Sequence, residues 1–358
     1  MNHSLTSLVA ALLVTVTAAC SGHVPDAALK HSEKNSVYYW KTVLRLDSAE
    51  RTFIRRHDIG RIYLRMFDVS VDELAPPDSP DRVVPNASLR IDDRQYRMLS
   101  DSLSDIEFVP VVYITLDALK AMKDHEGLSA SNIVTRVSNM CSYNGLNGVH
   151  ELQLDCDWTS TTEHSFFSLC DSVRQSIDAL GLPWRLSSTI RLHQLARKAP
   201  PVDRGVLMVY NTGNFNDPDA ANSIIDASDV RPYIKHLADY PLHLDVAYPA
   251  YSWQLLFRKR QFIGLMSGVN VQDSAQFMRT GAGSYTARRD IPYNNRMIIN
   301  GDMIRHESSD ADDILAVKAM IEKRLSGRPH SVIIYHLDTD NLSKYSSDEI
   351  NNILSQGR

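Results

Sequence analysis

The stretch HELQLDCDW, residues 150–158, decides the fold of this chain. Alternate side chains share one face of a β-strand. The stretch therefore has an apolar row and a polar row, namely Leu152, Leu154 and Cys156 against Gln153, Asp155 and Asp157. An amphipathic helix is predicted directly after it, over 163–180, with Gly181 and Pro183 at its end. A strand that feeds a helix is typical of parallel sheets, so we expect the apolar row to face helices.

Seven other strand-like runs lie along the chain, and helical patterns separate several of them. The runs are 38–43, 61–68, 108–115, 184–192, 205–213, 242–250 and 331–338. Helices are also predicted over 312–326 and, interrupted by Pro232, near 226–238. Eight alternating units predict an α/β fold, a (β/α)8 TIM barrel over residues 37–358. The long interval between the seventh and eighth runs predicts a small β-containing insertion at about 256–310.

The composition is that of a globular protein and gives no sign of nucleic-acid binding. The 358 residues are 43% hydrophobic and 23% charged, with a formal net charge of -5. The basic run at 258–260 is too short to form a nucleic-acid patch. The spacing of Cys141, Cys156 and Cys170 fits neither a disulfide framework nor a zinc site. We interpret these cysteines as core residues and expect no metal and no cofactor.

The N-terminus has the features of an export signal. Residues 7–20, SLVAALLVTVTAAC, are apolar and uncharged but too short to span a membrane. Their end, Ala18-Ala19-Cys20, resembles a bacterial lipoprotein signal, which implies acylation of Cys20, for example with palmitate. An ordinary cleaved signal peptide is the alternative. We predict a signal peptide over 1–20, a flexible tether over 21–36, and an exported protein whose lipid alone holds it to a bacterial membrane, expected to be the outer membrane.

Polar residues recur on the inward face of other strands. The same alternation predicts that the following residues look into the barrel: Arg65, Tyr113, Arg191, His193 and Asp245. A barrel kept only for stability would fill its interior with branched aliphatic residues, and active sites of this fold lie at the C-terminal ends of the strands. The pattern therefore predicts a ligand site there. An internal salt-bridge network, for instance Arg191 with Asp155, is the alternative interpretation.

Two further features bear on the chemistry of this site. Like charges on Asp155 and Asp157 would raise the pKa of one of them unless Arg191 or Arg65 offsets the repulsion. Aromatic rings serve as stacking platforms for sugars, and Trp158 and Trp253 follow strand ends. Both tryptophans are therefore predicted to line the mouth of the barrel.

The strand motifs resemble those of the chitinase-like glycoside hydrolases of family eighteen, which are (β/α)8 barrels. That family carries D-x-x-D-x-D-x-E at the end of its fourth strand, and Asp155 and Asp157 match the second and third Asp. Its sixth-strand signature is Met-x-Tyr-Asp, and here MVYN supplies Met208 and Tyr210, with Asn211 in place of the Asp.

The later strands are similar as well. LDVAYPAY, which contains Tyr248, resembles the seventh-strand motif. SVIIYHLDTDN resembles the eighth, with Tyr335 in place of a Trp. The resemblance also implies an insertion after the seventh strand. It assigns catalytic roles to Asp155, Asp157 and Tyr210. Together with the inward rows of the strands and the aromatic residues at strand ends, it leads us to expect that a glycan contacts the residues Arg65, Tyr113, Trp158, Arg191, His193, Asn211, Asp245, Tyr248, Trp253 and Tyr335.

One departure from the family motif concerns the proton donor. The catalytic Glu of the family is Thr159 here, and a threonine hydroxyl does not give up a proton near neutral pH. Glu163 is a possible replacement, but Ser160-x-x-Glu163 is also a capping box, which explains Glu163 without catalysis. His193, Asp245 and His336 are other acids expected near the mouth.

Three interpretations remain open from the sequence. The loss of the Glu favours a glycan-binding pseudoenzyme. The retained polar cluster favours a divergent glycoside hydrolase, with Asp157 as an electrostatic stabiliser. A structural surface lipoprotein would require a mouth plugged by side chains.

Overall fold

The structure, a computed structural model, describes residues 33–76, 79–92, 103–146, 148–294 and 296–355. The predicted signal peptide with Cys20, and the predicted tether up to residue 32, lie outside these ranges. Within the described ranges, every helix is too short or too polar to cross a lipid bilayer.

Eight parallel strands close into a barrel, which confirms the predicted (β/α)8 fold. The barrel strands are β1 (Asn35–Tyr39), β2 (Ile59–Val71), β3 (Glu107–Ile114), β4 (Glu151–Cys156), β5 (Arg185–Arg191), β6 (Arg204–Met208), β7 (Leu244–Pro249) and β8 (Val332–Tyr335). Each strand pairs with the next, and β1 pairs with both β2 and β8, so that Ser36 lies opposite Ile333. The sheet therefore has no open edge within the barrel.

Helices surround the barrel where the sequence pattern changes from period two to the helical period. They are Ser48–Arg56, Leu116–Ala121, Glu126–Tyr143, Glu163–Ala179, Ala227–Val230, Ala311–Leu325, Thr339–Leu342 and Ser347–Leu354, with 3-10 turns at Pro80–Arg82, Leu192–Ala196 and Ile234–His236. The helices predicted over 163–180 and 312–326 are confirmed. Near Pro232 the chain forms only a four-residue helix and a 3-10 turn, because proline cannot continue a helix.

The predicted insertion is a small antiparallel sheet between β7 and β8. Its five strands lie in the order Gln261–Met266, Ser252–Arg258, Met303–Ser308, Ser284–Ala287 and Phe277–Arg279, and a hairpin pairs Ile291–Tyr293 with Arg296–Ile298. Two short pairings lie outside the insertion: Val43–Leu44 with Arg90–Ile91, and Val83–Asn86 with the end of β2.

The barrel begins slightly earlier than predicted. The strand predicted at residue 38 starts at Asn35, and Lys34 already contacts the barrel: its backbone N–H donates to Ser331 Oγ at 3.2 Å, and its Nζ lies 3.2 Å from Glu107 Oε2. These polar contacts carry no apolar periodicity, so the hydrophobic pattern of the sequence did not reveal them.

The two rows of β4 face opposite environments, as the alternation predicted. Leu152, Leu154 and Cys156 are fully buried in the core formed with the surrounding helices. Gln153 and Asp155 belong to the other row, and Gln153 Oε1 accepts a hydrogen bond of 2.6 Å from Tyr38 Oη inside the barrel. The middle of the barrel is filled by a separate cluster that includes Tyr38 and Tyr63.

The N-terminal end of the barrel is closed by ion pairs, and Asp245 belongs to them. Arg204 Nη1 lies 3.3 Å from Asp245 Oδ2, and Arg61 Nη2 lies 3.1 Å from Glu107 Oε2. The prediction that Asp245 lines the mouth is therefore wrong. Asp245 does look inward, but β7 begins at Leu244, so this side chain lies at the opposite end of the strand.

Glu151 is a buried acid in the same basal layer. Its carboxylate accepts a hydrogen bond of 2.5 Å from Ser187 Oγ. Burial raises the pKa of Glu151 to about 7, despite the opposing effects of the Ser187 hydroxyl and the Arg61 charge. The folded barrel is therefore more stable when the Glu151 carboxyl group is protonated.

Replacing Glu151 with Gln is expected to weaken the pH dependence of stability. The folded pKa lies above the unfolded value, so the native protein binds more protons, and its stability falls as pH rises from about 4.5 to about 7. This loss is on the order of 3 kcal/mol at most. Urea denaturation at pH 5 and pH 8 should show a smaller difference for Glu151→Gln than for the wild type, and equal differences would contradict the assignment.

Candidate functional site

Asp155 is buried near the C-terminal end of β4, where it contacts two residues of β5. Its Oδ1 accepts hydrogen bonds from Thr189 Oγ1 at 2.6 Å and from Arg191 Nη2 at 3.1 Å. Burial raises the pKa of Asp155, while the Arg191 charge and the Thr189 hydroxyl oppose the shift. Of the two arginines predicted to offset the carboxylate charges, Arg191 does so.

Asp157 extends this arrangement to the solvent. It follows the last residue of β4, and its side chain is 53% exposed. Arg191 Nε lies 3.3 Å from Asp157 Oδ1, so one guanidinium stands between the two carboxylates. The ion pair of Arg191 with Asp155, which the alternative interpretation of an internal salt-bridge network predicted, is therefore present. One of its members nevertheless faces solvent, where a ligand can reach it.

The rings of Tyr210 and Tyr335 stack on each other beside Asp155, Arg191 and Asp157. Their ring centroids are 4.6 Å apart with an interplanar angle of 24°. Burial raises the pKa of Tyr210, with the charge of Arg191 opposing, so its hydroxyl stays protonated and can donate a hydrogen bond. Both tyrosines thus lie at the C-terminal end of the barrel, near Arg191.

A band of aromatic rings runs across the mouth from this stack. Tyr335 contacts Trp40 at 5.7 Å and Tyr251 at 5.9 Å, both measured between ring centroids. Trp40 also contacts Tyr113 at 6.5 Å. These four residues are partly exposed, so the band offers apolar faces to a ligand. We call Trp40, Tyr113, Tyr251, Trp253 and Tyr335 the aromatic band.

Arg65 supports the band at one end and is itself neutralised. Its guanidinium lies 5.3 Å from the centroid of the Trp40 ring. Its Nε also donates to Asp68 Oδ1 at 2.7 Å. Arg65 therefore positions Trp40 and is paired with Asp68 instead of with Asp155 or Asp157.

The insertion supplies the other end of the band through Trp253. The indole Nε1 donates to Glu307 Oε2 at 2.6 Å, and Glu307 also accepts from Ser223 Oγ and from Arg305 Nε at 2.6 Å. Glu307 is 2% exposed. The ring of Trp253 lies 5.6 Å from Tyr251 and 6.4 Å from Phe215, centroid to centroid. A buried carboxylate of the insertion thus orients the indole beside the mouth.

Neither Thr159 nor Glu163 supplies a proton donor to the mouth. Thr159 Oγ1 lies 3.0 Å from Thr161 Oγ1 in a cluster of hydroxyl groups. The predicted capping box at Ser160 and Glu163 is wrong, because the helix begins at Glu163 with Thr162 as its N-cap. Glu163 Oε2 instead lies 3.1 Å from Arg197 Nη1.

Two residues predicted to contact a ligand face the helices instead. Trp158 is fully buried and packs on Phe166 and Phe167, with ring centroids 6.0 Å and 5.5 Å away. Tyr248 is 1% exposed and belongs to the helix-side core. Both predictions are wrong for the same reason, which is that alternate side chains of a strand share one face. Trp158 directly follows the inward-facing row of Asp155 and Asp157 and therefore faces outward. Tyr248 belongs to the same row as Leu244, which faces the helices, and not to the row of Asp245.

The remaining predicted positions are near the strand ends but differ in environment. The inward row of β5 ends at Arg191, and His193 is exposed on the 3-10 turn Leu192–Ala196. Asn211 is exposed and has a φ of 52°, and its Oδ1 accepts a hydrogen bond of 2.6 Å from Tyr251 Oη. His336 is partly buried, and burial lowers its pKa, so it is a poor cation at neutral pH.

Trp40, Tyr251 and Glu307 were not among the predicted site residues. Alternation along β1 leads from Tyr38 to Trp40, and alternation along β7 leads from Asp245 to Tyr251, so the parity of each strand could have identified both aromatics. Glu307 lies in the inserted sheet, and its approach to Trp253 depends on tertiary structure.

One group of potential metal ligands occurs among the described residues, at the base of the barrel. Ligand atoms of Glu33, His243 and Asp245 lie within 4.8 Å of one another. Arg204 is 3.3 Å from Asp245 and 3.9 Å from Glu33, and it already supplies positive charge there. We interpret the group as part of the basal ion-pair layer.

Comparisons with known proteins agree on the fold. No protein-family model and no curated protein sequence matches the chain. A chitinase from Chromobacterium violaceum is similar in structure, with 12% identity and a TM-score of 0.54, over 91% of this chain and 98% of that one. The catalytic domain 2 of the Ostrinia furnacalis Group II chitinase, a mutant in complex with penta-N-acetylchitooctaose, matches at 10% identity and a TM-score of 0.54, over 90% of this chain and 95% of that one.

A third similar structure is a family-eighteen chitinase mutant from Cycas revoluta in complex with (GlcNAc)4. It matches at 10% identity and a TM-score of 0.51, over 90% of this chain and 98% of that one. At these identities the likeness concerns the fold, and the chain has the chitinase-like barrel that its strand motifs predicted.

Replacing Glu307 with Gln is expected to destabilise the protein and to change the fluorescence of Trp253. The substitution removes the charge that faces the buried Arg305 side chain, at a cost of about 3 kcal/mol. Urea denaturation and tryptophan emission spectra check both effects. Glu73→Gln, at an exposed position, is the control, and equal stability of the two variants would contradict the proposed role of Glu307.

Proposed function

We propose that the barrel mouth binds a glycan and holds it without cleavage. The observation that carries the proposal is the aromatic band beside a solvent-facing carboxylate: Asp157 is 53% exposed, and Arg191 fixes its position from below. Aromatic faces stack on the C–H groups of sugars, while a carboxylate accepts hydrogen bonds from their hydroxyl or amide groups.

The partners of two carboxylates near the mouth, both among the residues that the structure describes, support binding over hydrolysis. Asp155 is hydrogen-bonded to Thr189 and Arg191, and Asp68 is hydrogen-bonded to Arg65. The resemblance of the fourth strand to the family motif assigns the position of the family's acid to Thr159. A general acid needs a labile proton on a group that can reach the leaving oxygen. A divergent hydrolase is the second candidate, favoured by the retained arrangement of Asp155, Asp157 and Tyr210.

The class of glycan follows from the similar structures by analogy. Two of them were determined with oligomers of N-acetylglucosamine. We propose a glycan that contains this sugar as the first ligand class to test. An amide or hydroxyl group of such a sugar would donate to Asp157, and a ring face would lie on Tyr335 or Trp40.

Replacement of Asp157 by Asn is expected to weaken the binding of chito-oligosaccharides about tenfold. A hydrogen bond to a charged acceptor contributes on the order of 1.5 kcal/mol. Titration calorimetry measures the affinity, and chromatography of the same mixtures measures released sugars. Asp178→Asn, on the exposed face of the helix Glu163–Ala179, is the control and should bind like the wild type.

The three possible results separate the interpretations. Binding without products supports the non-catalytic function. Products from the wild type, but not from Asp157→Asn, would establish the hydrolase. No binding of any N-acetylglucosamine-containing or mannose-containing glycan would remove the sugar assignment.

We also propose that the chain is an exported lipoprotein acylated at Cys20 and held at a bacterial membrane. The proposal rests on the apolar segment that ends in Ala18-Ala19-Cys20. Cells grown with radiolabelled palmitate should label the wild-type protein but not Cys20→Ser. Label in both proteins, or in neither, would contradict acylation at this cysteine.

A further inference from the structure

The two carboxylates at the centre of the mouth share a single cation. Arg191 Nη2 lies 3.1 Å from Asp155 Oδ1, and Arg191 Nε lies 3.3 Å from Asp157 Oδ1. Thr189 Oγ1 also donates to Asp155 Oδ1 at 2.6 Å, and two donors on one oxygen favour the ionised carboxylate. One guanidinium therefore faces two negative charges. Because Asp157 is the most exposed of the three ionised groups, the excess negative charge faces solvent.

Two further cations near the mouth are already paired with carboxylates of their own. Arg65 Nε donates to Asp68 Oδ1 at 2.7 Å. Lys41 follows β1, and its Nζ lies 2.8 Å from Glu50 Oε1 and 2.9 Å from Asp338 Oδ2. These two groups together contain two positive and three negative charges. They therefore add to the negative charge of the mouth instead of compensating it.

Aromatic rings stand beside the exposed carboxylate. Tyr113 lies opposite Asp155 in the register of β3 and β4. Burial raises the pKa of Tyr113, and the nearby charges of Asp155 and Asp157 act in the same direction while Arg191 opposes them. The face of an aromatic ring carries partial negative charge and attracts cations, as a carboxylate does. Rings together with a carboxylate are therefore suited to an ammonium group.

We propose that the mouth prefers a glycan with free, protonated amino groups, such as one built from glucosamine, over its N-acetylated form. The ammonium group would donate a charge-assisted hydrogen bond to Asp157, and the sugar ring would lie on the aromatic band. An N-acetyl group is neutral and offers only an amide N–H to the same carboxylate. The preference rests on the proposed glycan-binding function and specifies the chemical class of the glycan.

Titration calorimetry with two tetramers tests the preference. At pH 6, the wild type should bind the glucosamine tetramer (GlcN)4 about tenfold more tightly than (GlcNAc)4, because a hydrogen bond between two charged groups is the stronger one. Asp157→Asn should bind the two tetramers with similar affinity. Asp178→Asn removes the same charge from the exposed face of the helix Glu163–Ala179, and as the matched control it should keep the preference.

The results separate this preference from the proposed function. Equal or tighter binding of (GlcNAc)4 by the wild type would overturn the preference and leave glycan binding standing. A preference for (GlcN)4 that persists in Asp157→Asn would also overturn it, since the attraction would then come from the formal net charge of -5 of the whole protein. Failure of the wild type to bind either tetramer would contradict the proposed ligand class and the preference with it. Equal urea midpoints for the three proteins would show that the variants are folded.

Discussion

Each barrel strand must satisfy two environments at once, the helical layer outside and the barrel axis inside. Successive side chains point to opposite faces, so a shift of one residue would bring apolar groups to the axis and charges to the helices. On β4 this constraint places Leu154 in the core and Asp155 on the axis. The positions of the ion pairs, the interior tyrosines and the site carboxylates all follow from the same alternation.

Charged groups inside the barrel lie at its base and at its mouth, and at each end the positive and negative charges are paired with one another. The base contains ion pairs such as Arg204 with Asp245, and tyrosines fill the middle. At the mouth, Arg191 forms ion pairs with the carboxylates of both Asp155 and Asp157. A buried charge is tolerated only when it is paired and hydrogen-bonded, which explains why the partners occur on neighbouring strands. Side chains therefore fill the middle of the barrel, and aromatic rings and charged groups lie at its mouth.

The inserted sheet holds one end of the aromatic band in place. Glu307 binds the indole of Trp253, the hydroxyl of Ser223 and the guanidinium of Arg305, and so it joins the insertion to the segment that follows β6. Because these contacts fix one end of the aromatic band, the insertion contributes to the shape of the candidate site as well as to the fold.

The sequence by itself determined the barrel, the insertion and the inward rows, because these depend on local periodicity: the runs of period two and the helical stripes are written in consecutive residues. It also placed Asp155, Arg191, Tyr210 and Tyr335 together at one end. Tertiary structure alone decided the depth of Asp245, the ion pair of Glu163 with Arg197 and the contact of Glu307 with Trp253. These depend on where each strand begins and on which distant segment meets it, and neither is encoded in the pattern of neighbouring residues.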